Sequence, residues 1–319
     1  MVKKLKMNFR TEIKIKPQQN SIDYKSKVLL IGSCFTNNIG LKLDYFRFNT
    51  FINPFGILFH PKAIEKLITY SLTNTVITEK DLVFHNEQWH YLDIHSDFSH
   101  SDKLIVLDFI NSALKETKAY LEKATHIVIT LGTSWVYRYN KTNKLVANCH
   151  KIPQKEFQKE LLSVNEIENS LDKINSIIKN RNPKIEIIFT VSPVRHLKDG
   201  FIENQQSKAH LLSVIHQVLD KQTHYFPAYE IMIDDLRDYR FYKKDMLHPN
   251  EVAIDYIWDK FVATWINSSE KETMNQVTQI QKGLTHKAFN KESNKHQLFL
   301  ENLNQKKKTL EKTKGIVFR

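Results

Sequence analysis

Apolar residues recur along this chain in two rhythms. Val28-Leu-Leu-Ile31, His126-Ile-Val-Ile-Thr-Leu131 and Ile185-Glu-Ile-Ile-Phe-Thr-Val191 are short, largely apolar runs, with the length and branched side chains of strands buried on both faces. Between and after them, apolar positions fall three and four residues apart over Thr36–Leu43, Pro61–Leu72, Lys103–Lys123, Lys155–Lys179 and Ser207–Lys221, which predicts helices with one buried face. This alternation predicts an α/β fold: a three-layer sandwich whose mostly parallel central sheet is covered on both sides. Trp89–Ile94 and Trp135–His150 read as hairpins on that frame, the second turning at Asn140-Lys-Thr-Asn143. Pro249, following His248, suits the first position of a last core helix through Trp265. From Ser268 onward Lys, Gln, Asn and Glu dominate, which predicts a helical or partly disordered appendage. The chain thus divides into a basic lead-in (1–20), an α/β domain (21–268) and a basic polar tail (269–319), with no internal repeat.

Composition narrows the function classes. Hydrophobic residues make up 41% of the 319 and charged residues 26%, enough for a core and incompatible with a wholly disordered chain. No apolar run approaches the ~20 residues of a membrane-spanning helix. Met1–Arg10 is basic but lacks the apolar stretch of a secretory leader. Two cysteines, Cys34 and Cys149, cannot build a disulfide framework in a chain of this size, so reduced thiols in the cytoplasm are expected. The formal net charge of +12 lies in the ends. Residues 1–16 hold six Lys or Arg against one Glu, and residues 270–319 eleven against five, leaving +1 for the body. Solvated ends account for this better than a nucleic-acid grip, and no nucleic-acid-binding signature accompanies the charge.

In parallel α/β sheets, ligands bind beyond the carboxyl ends of the strands. Gly32-Ser33-Cys34-Phe35 stands at such an end, with Cys34 near the start of the next helix, where free amides favour a thiolate. Asp245-Met-Leu-His248-Pro249 supplies a second fragment. An Asp three residues before a His folds back onto imidazole Nδ1, fixes the tautomer and leaves Nε2 for a nucleophile. Alone, each fragment is better read as a buried small thiol or a local loop hydrogen bond. Arg195, in Ser192-Pro-Val-Arg-His196 after a strand end, and Lys208 are candidates to hold a substrate carboxylate or phosphate, or else to form surface salt bridges. Cys149 and His150 are adjacent, so on a strand they face opposite ways. One of the two then borders the pocket and a shared metal is disfavoured. His85, His90, His95 and His100 fall five apart, an interval that fits neither a helix face nor a strand face. That argues against a metal array, with His90 and His95 left as pocket contacts or loop residues. No cofactor is called for.

Taken together and in this order, the fragments resemble the SGNH or GDSL-type hydrolase superfamily, and more closely the GSCFA family within it. The resemblance runs from about Val28 to Trp265. It takes in Gly32-Ser-Cys-Phe35, Asn53-Pro-Phe-Gly56, Leu131-Gly-Thr-Ser-Trp135, Asn148-Cys-His-Lys151, Ser192-Pro-Val-Arg-His196, Phe226-Pro-Ala-Tyr229, Asp238-Tyr-Arg-Phe241 and Asp245-Met-Leu-His248. It implies an esterase, lipase or acyltransferase whose nucleophile is a Ser in a Gly-Asp-Ser motif. Aligned with that motif, Cys34 takes the place of the Ser and Ser33 that of the Asp, with His248 as general base and Asp245 as its orienter. A thiolate suits acyl transfer through a thioester. The implied oxyanion donors are Gly56 and, where the superfamily has Gly-x-Asn, Ser134 in Gly132-Thr-Ser134, with Asn148 as an alternative amide. Ser33, His95, His150, Arg195 and Lys208 are the expected substrate contacts. The implied partner is an O-acylated carbohydrate or a similar small metabolite. A second reading is a ligand-binding module on the same frame that no longer turns substrate over, motivated by the weak oxyanion elements.

Overall fold

The computed structural model describes residues 11–287 and 289–318. Lys3, Lys4, Lys6 and Arg10 of the basic lead-in lie outside the described residues. From the amino end the chain forms β1 (Lys27–Gly32), α1 (Cys34–Tyr45), β2 (Asn49–Ile52), α2 (Pro61–Thr73), β3 (Val83–His85), β4 (Gln88–His90) and α3 (Lys103–Leu121). There follow β5 (His126–Leu131), β6 (Trp135–Tyr139), β7 (Lys144–Val146), β8 (Phe157–Leu161), α4 (Val164–Arg181), β9 (Glu186–Val191) and α5 (Phe201–Gln217). The chain closes with β10 (Thr223–Tyr225), a short α6 (Ala228–Glu230), α7 (Glu251–Trp265), α8 (Lys271–Thr285) and α9 (Asn294–Lys314).

The central sheet has the order β10-β9-β5-β1-β2, and every neighbouring pair is parallel. Alternate side chains leave opposite faces, and both faces are covered. Leu29, Ile31, Ile127, Ile129, Ile187 and Phe189 pack in one cluster with α2, α3, α4 and α5. Val28, Leu30, Val128 and Ile188 pack in the other with α1, α7, α8 and α9. That double coverage is why these strands read as near-continuous apolar runs. The three-layer α/β expectation therefore holds, with a wholly parallel main sheet.

Local boundaries differ in instructive ways. The helix expected over Lys155–Lys179 begins at Val164; Phe157–Leu161 is instead β8, antiparallel to β6 across Trp135–Leu161. Ser163 and Glu166 form a reciprocal capping box at the start of α4, and satisfying two orphan backbone groups fixes the helix start there. The first hairpin runs earlier than expected, pairing β3 with β4 around Asn86 and Glu87, both at positive φ. The second hairpin turns at residues 140–143 as expected. Asn250, whose side chain accepts from the Ala253 N–H, caps α7, so Pro249 precedes the helix instead of opening it.

The polar tail is helical and packs against the domain. Met274, Val277 and Ile280 of α8 and Leu303 and Leu310 of α9 are buried in the same cluster as Trp258, Phe261 and Trp265 of α7. Burying one such side chain is worth roughly 1.5–3 kcal/mol, so this stripe holds the helices down despite their charge. No helix among the described residues is long and apolar enough to cross a membrane. Replacing Val277, fully buried, by Asp should lower the unfolding free energy of the whole domain by about 3 kcal/mol or more. Calorimetry is the check, and an unchanged Tm would show that α8 melts apart from the sheet.

Candidate functional site

The site begins where β1 stops. Gly32 has φ +144°, and a Cβ there would lie 2.2 Å from the Thr130 carbonyl oxygen, so the close approach of β1 to β5 demands glycine. The Gly32 N–H donates to Asn53 Oδ1 (2.8 Å), and Asn53 Nδ2 donates to Asn37 Oδ1 (2.7 Å). One side chain thereby clamps the strand end to α1. Ser33 is fully buried and caps α1, its hydroxyl accepting from the Phe35 N–H (3.4 Å). Its expected place as a substrate contact is thus taken by the helix start. Cys34 follows as the first residue of α1 and is partly exposed. Burial pushes its thiol pKa up, while Lys208, the amides at Phe35 and Cys34, and Lys243 pull it back in part.

The second fragment closes as expected. His248 Nδ1 lies 2.7 Å from Asp245 Oδ2, and Asp245 Oδ1 accepts from the backbone N–H groups of Leu247 (2.9 Å) and His248 (3.0 Å). Those amides, then the His248 ring, hold the Asp245 carboxyl down at about 2. Met246 at φ 59° makes the reversal. The loop is tied to the exit of β9, where the Arg195 N–H donates to the Leu247 carbonyl (3.2 Å). Among the described residues no hydrogen bond joins Cys34 to His248, and none uses His248 Nε2.

Lys208 departs from expectation. It lies within α5, fully buried, and Nζ donates to the carbonyls of Gly132 (2.7 Å) and Ser192 (2.8 Å). The pairing of Thr130 with Thr190 sets these two carbonyls level with each other just past the strands. Where the ladder ends they need another donor, and Lys208 supplies it from beneath. It is a strut under the sheet end and makes no surface salt bridge. Burial lowers its pKa to about 7, against the raising effect of Cys34.

The expected oxyanion groups are placed as follows. Gly56 has φ +72° and packs against His95, but its N–H donates to the Asn53 carbonyl (2.8 Å). Ser134 is fully buried; its hydroxyl donates to the Ser207 carbonyl (2.6 Å) and its N–H to Ser207 Oγ (2.7 Å). Asn148 accepts the His150 N–H on Oδ1 (2.9 Å). Two of the three donors are thus engaged within the fold.

The remaining candidates occupy these places. His95 lies over Gly56, where a Cβ would come 2.3 Å from its own, and its Nδ1 is 3.1 Å from Asp97 Oδ2. His150 is buried, with Nε2 on the Ile94 carbonyl (3.1 Å) and Nδ1 near Ser99 Oγ (3.2 Å), which also meets His90 Nδ1 (2.6 Å). Burial first, then His90, lower the His150 pKa to about 4. The segment around Cys149 and His150 is a turn with His150 at φ 47°, so strand alternation does not apply to the pair. Arg195 lies over the rings of Tyr242 (4.2 Å) and Tyr239 (5.2 Å), a cation–π seat. Among the described residues no group of three or more His, Cys, Asp or Glu is arranged to hold a metal.

One residue at the site carries no signal in sequence spacing. His196 Nε2 is buried without a hydrogen-bond partner among the described residues and comes 3.2 Å from where a Cβ on Gly132 would sit. Burial, then the charges of Lys208 and His248, hold its pKa down at about 3. Its neighbours come from separate elements, so only folding assembles this environment.

The GSCFA family model matches residues 27–261, and that of the GSCFA domain protein C-terminal domain matches residues 277–316. No curated protein matches. Among solved structures, a carbohydrate esterase family 3 protein from Talaromyces cellulolyticus aligns with TM-score 0.36 and 8% identity, over 81% of this chain and 98% of that one. An acetyl xylan esterase from the rumen bacterium Butyrivibrio proteoclasticus aligns with TM-score 0.34 and 14% identity, over 76% of this chain and 64% of that one.

Two predictions follow from the electrostatics. Below its pKa of about 7 Lys208 carries the charge that offsets thiol burial, so in Lys208→Met Cys34 alkylation by iodoacetamide at pH 6 should slow by about threefold or more. Mass spectrometry distinguishes Cys34 from Cys149, and an unchanged rate would disprove the coupling. The buried His60 and His150 have folded pKa values of about 4, and burial lowers that of His126 too. The unfolded imidazole titrates near 6.5, so below that pH the unfolded chain takes up protons that the folded chain refuses. Stability is therefore intact above about pH 6.5 and declines toward pH 4, by up to about 1.4 kcal/mol per pH unit for each such histidine. Urea unfolding across this window, in wild type and His150→Gln, measures the slope; equal slopes in both would exclude His150.

Proposed function

Since the chain belongs to the GSCFA family, we propose that it is an acyl-ester hydrolase or acyltransferase working through Cys34, His248 and Asp245. The observation that carries this reading is the Asp245–His248 pair at 2.7 Å, formed at the end of the sheet where Cys34 opens α1. Asp245 fixes the tautomer with a proton on Nδ1, which makes Nε2 the basic nitrogen. His248 takes the Cys34 proton, and Sγ attacks the acyl carbon. The leaving alkoxide takes that proton from His248 as the carbon–oxygen bond breaks. Water or an acceptor hydroxyl, deprotonated by His248, then cleaves the thioester. On this reading the Cys34–His248 hydrogen bond, which is not made among the described residues, forms when substrate arrives. Resemblance to the SGNH or GDSL-type hydrolases points to an O-acyl group on a carbohydrate or similar small metabolite. A thiol nucleophile also favours a reducing compartment, the cytoplasm.

The engaged N–H of Gly56 and hydroxyl of Ser134 favour a second reading, a binding module that retains the frame without turnover. Saturable binding of an acyl ester that persists in Cys34→Ala and His248→Ala, with no product from wild type, would establish it. On the catalytic reading, p-nitrophenyl acetate acetylates Cys34, as seen by peptide mass spectrometry. Cys34→Ala abolishes turnover and His248→Ala slows acylation by about 100-fold or more. Turnover by Cys34→Ala at the wild-type rate would refute the assignment.

A further inference from the structure

We infer that His196 is the side-chain oxyanion donor of this site, its Nε2–H bonding the acyl oxygen while Cys34 attacks. The inference rests on the acyl-transfer reading and fills a need that reading leaves open. Thiolate attack forms the Sγ–C bond and moves the carbonyl π pair onto oxygen. That charge must meet preorganised donors, and the Gly56 N–H and the Ser134 hydroxyl are committed to Asn53 and Ser207. The Gly132 N–H is committed as well, to the Phe59 carbonyl (2.7 Å).

His196 has the opposite condition: a buried nitrogen with no hydrogen-bond partner among the described residues. Such a group is costly to bury unless something satisfies it, and a substrate oxygen is what the position offers. Gly32 pairs with Thr130 across β1 and β5. β1 ends at Gly32 and β5 at Leu131, so Cys34, which opens α1, and Gly132 both lie just past the carboxyl ends of these neighbouring strands. His196 Nε2 is 3.2 Å from the point a Gly132 Cβ would occupy. The absence of a side chain at Gly132 thus leaves room for a ligand atom beside the imidazole, at the sheet end where Cys34 opens α1. The imidazole is held for the task, with its backbone N–H on Asn204 Oδ1 (2.8 Å) and its ring edge-on to Phe59 at 5.3 Å.

Its protonation state suits a donor that keeps its proton. With its pKa depressed to about 3 by burial, Lys208 and His248, His196 is neutral at physiological pH. A neutral imidazole polarises a carbonyl by hydrogen bonding without becoming a competing acid. When the tetrahedral adduct collapses, the C=O re-forms, the alkoxide leaves with the proton carried by His248, and His196 is unchanged.

Two reactions of the same sulfur test this. Iodoacetamide alkylates Cys34 with no oxyanion, whereas p-nitrophenyl acetate acylates it through one. His196→Ala should slow acylation by about 100-fold or more and leave alkylation within about twofold of wild type. His196→Gln, which restores an N–H, should recover part of the loss. Gly132→Ala, whose methyl enters the gap, should slow acylation in the same selective way. Wild-type acylation in His196→Ala would overturn the inference, and so would equal losses in both reactions, which mark a structural role. If wild-type Cys34 alkylates but is never acylated, the acyl-transfer reading itself fails and takes this inference with it.

Discussion

The contact between Gly32 and Thr130 sets the geometry of everything around Cys34. β1 comes so close to β5 that a methyl group at residue 32 would lie 2.2 Å from a carbonyl oxygen. The chain leaves that contact at φ +144°, a region open to glycine and closed to residues with a Cβ. Asn53 holds the turn from both sides, accepting from Gly32 and donating to Asn37. Ser33 then has no choice but to cap α1 and Cys34 to begin it. The nucleophile candidate is therefore placed by backbone sterics and one carboxamide, and the parallel register carries that placement across to Gly132 and Ser192.

Around this turn the fold gathers groups that would be costly anywhere else. Lys208 sits fully buried beneath the strand ends, bonded to two carbonyls and to no carboxylate among the described residues. His196 lies near it with an unpaired nitrogen. Natural proteins retain such features where local stability is exchanged for chemistry. Burial raises the Cys34 thiol pKa and the charge of Lys208 offsets that in part, while burial, Lys208 and His248 keep His196 neutral. The Asp245–His248 pair is built differently, on an exposed loop whose geometry comes from its own amides.

The tail shows how charge composition misleads. Residues 270–319 carry eleven basic side chains, yet α8 and α9 bury Met274, Val277, Ile280, Leu303 and Leu310 against α7. The apolar stripe is narrow, recurring every three or seven residues, and the polar majority hides it in any averaged reading. Its energetic weight comes from the apolar surface it covers on the domain, which the tail's own composition does not disclose.

The chain's own pattern determined the layered α/β architecture, the three central strands and the self-contained Asp245–His248 pair. Each of these rests on local spacing: period-two or continuous apolar runs, period-three-and-a-half helices, and an acid three residues from a histidine. It also placed Cys34 at a helix start, because a strand, a glycine and a helical pattern lie consecutively. Tertiary structure alone decided the rest. β8 replaced a helical turn because β6 offered it a partner, and Lys208 became a buried strut because two strands end at the same level. The Gly56 N–H and the Ser134 hydroxyl turned inward to satisfy nearby polar groups, Asn53 and Ser207. His196 gained its environment from Phe59, Gly132, Lys208 and His248, residues far apart in sequence. Spacing encodes what a segment does with its neighbours along the chain, whereas burial and unmet hydrogen bonds arise only when distant segments meet.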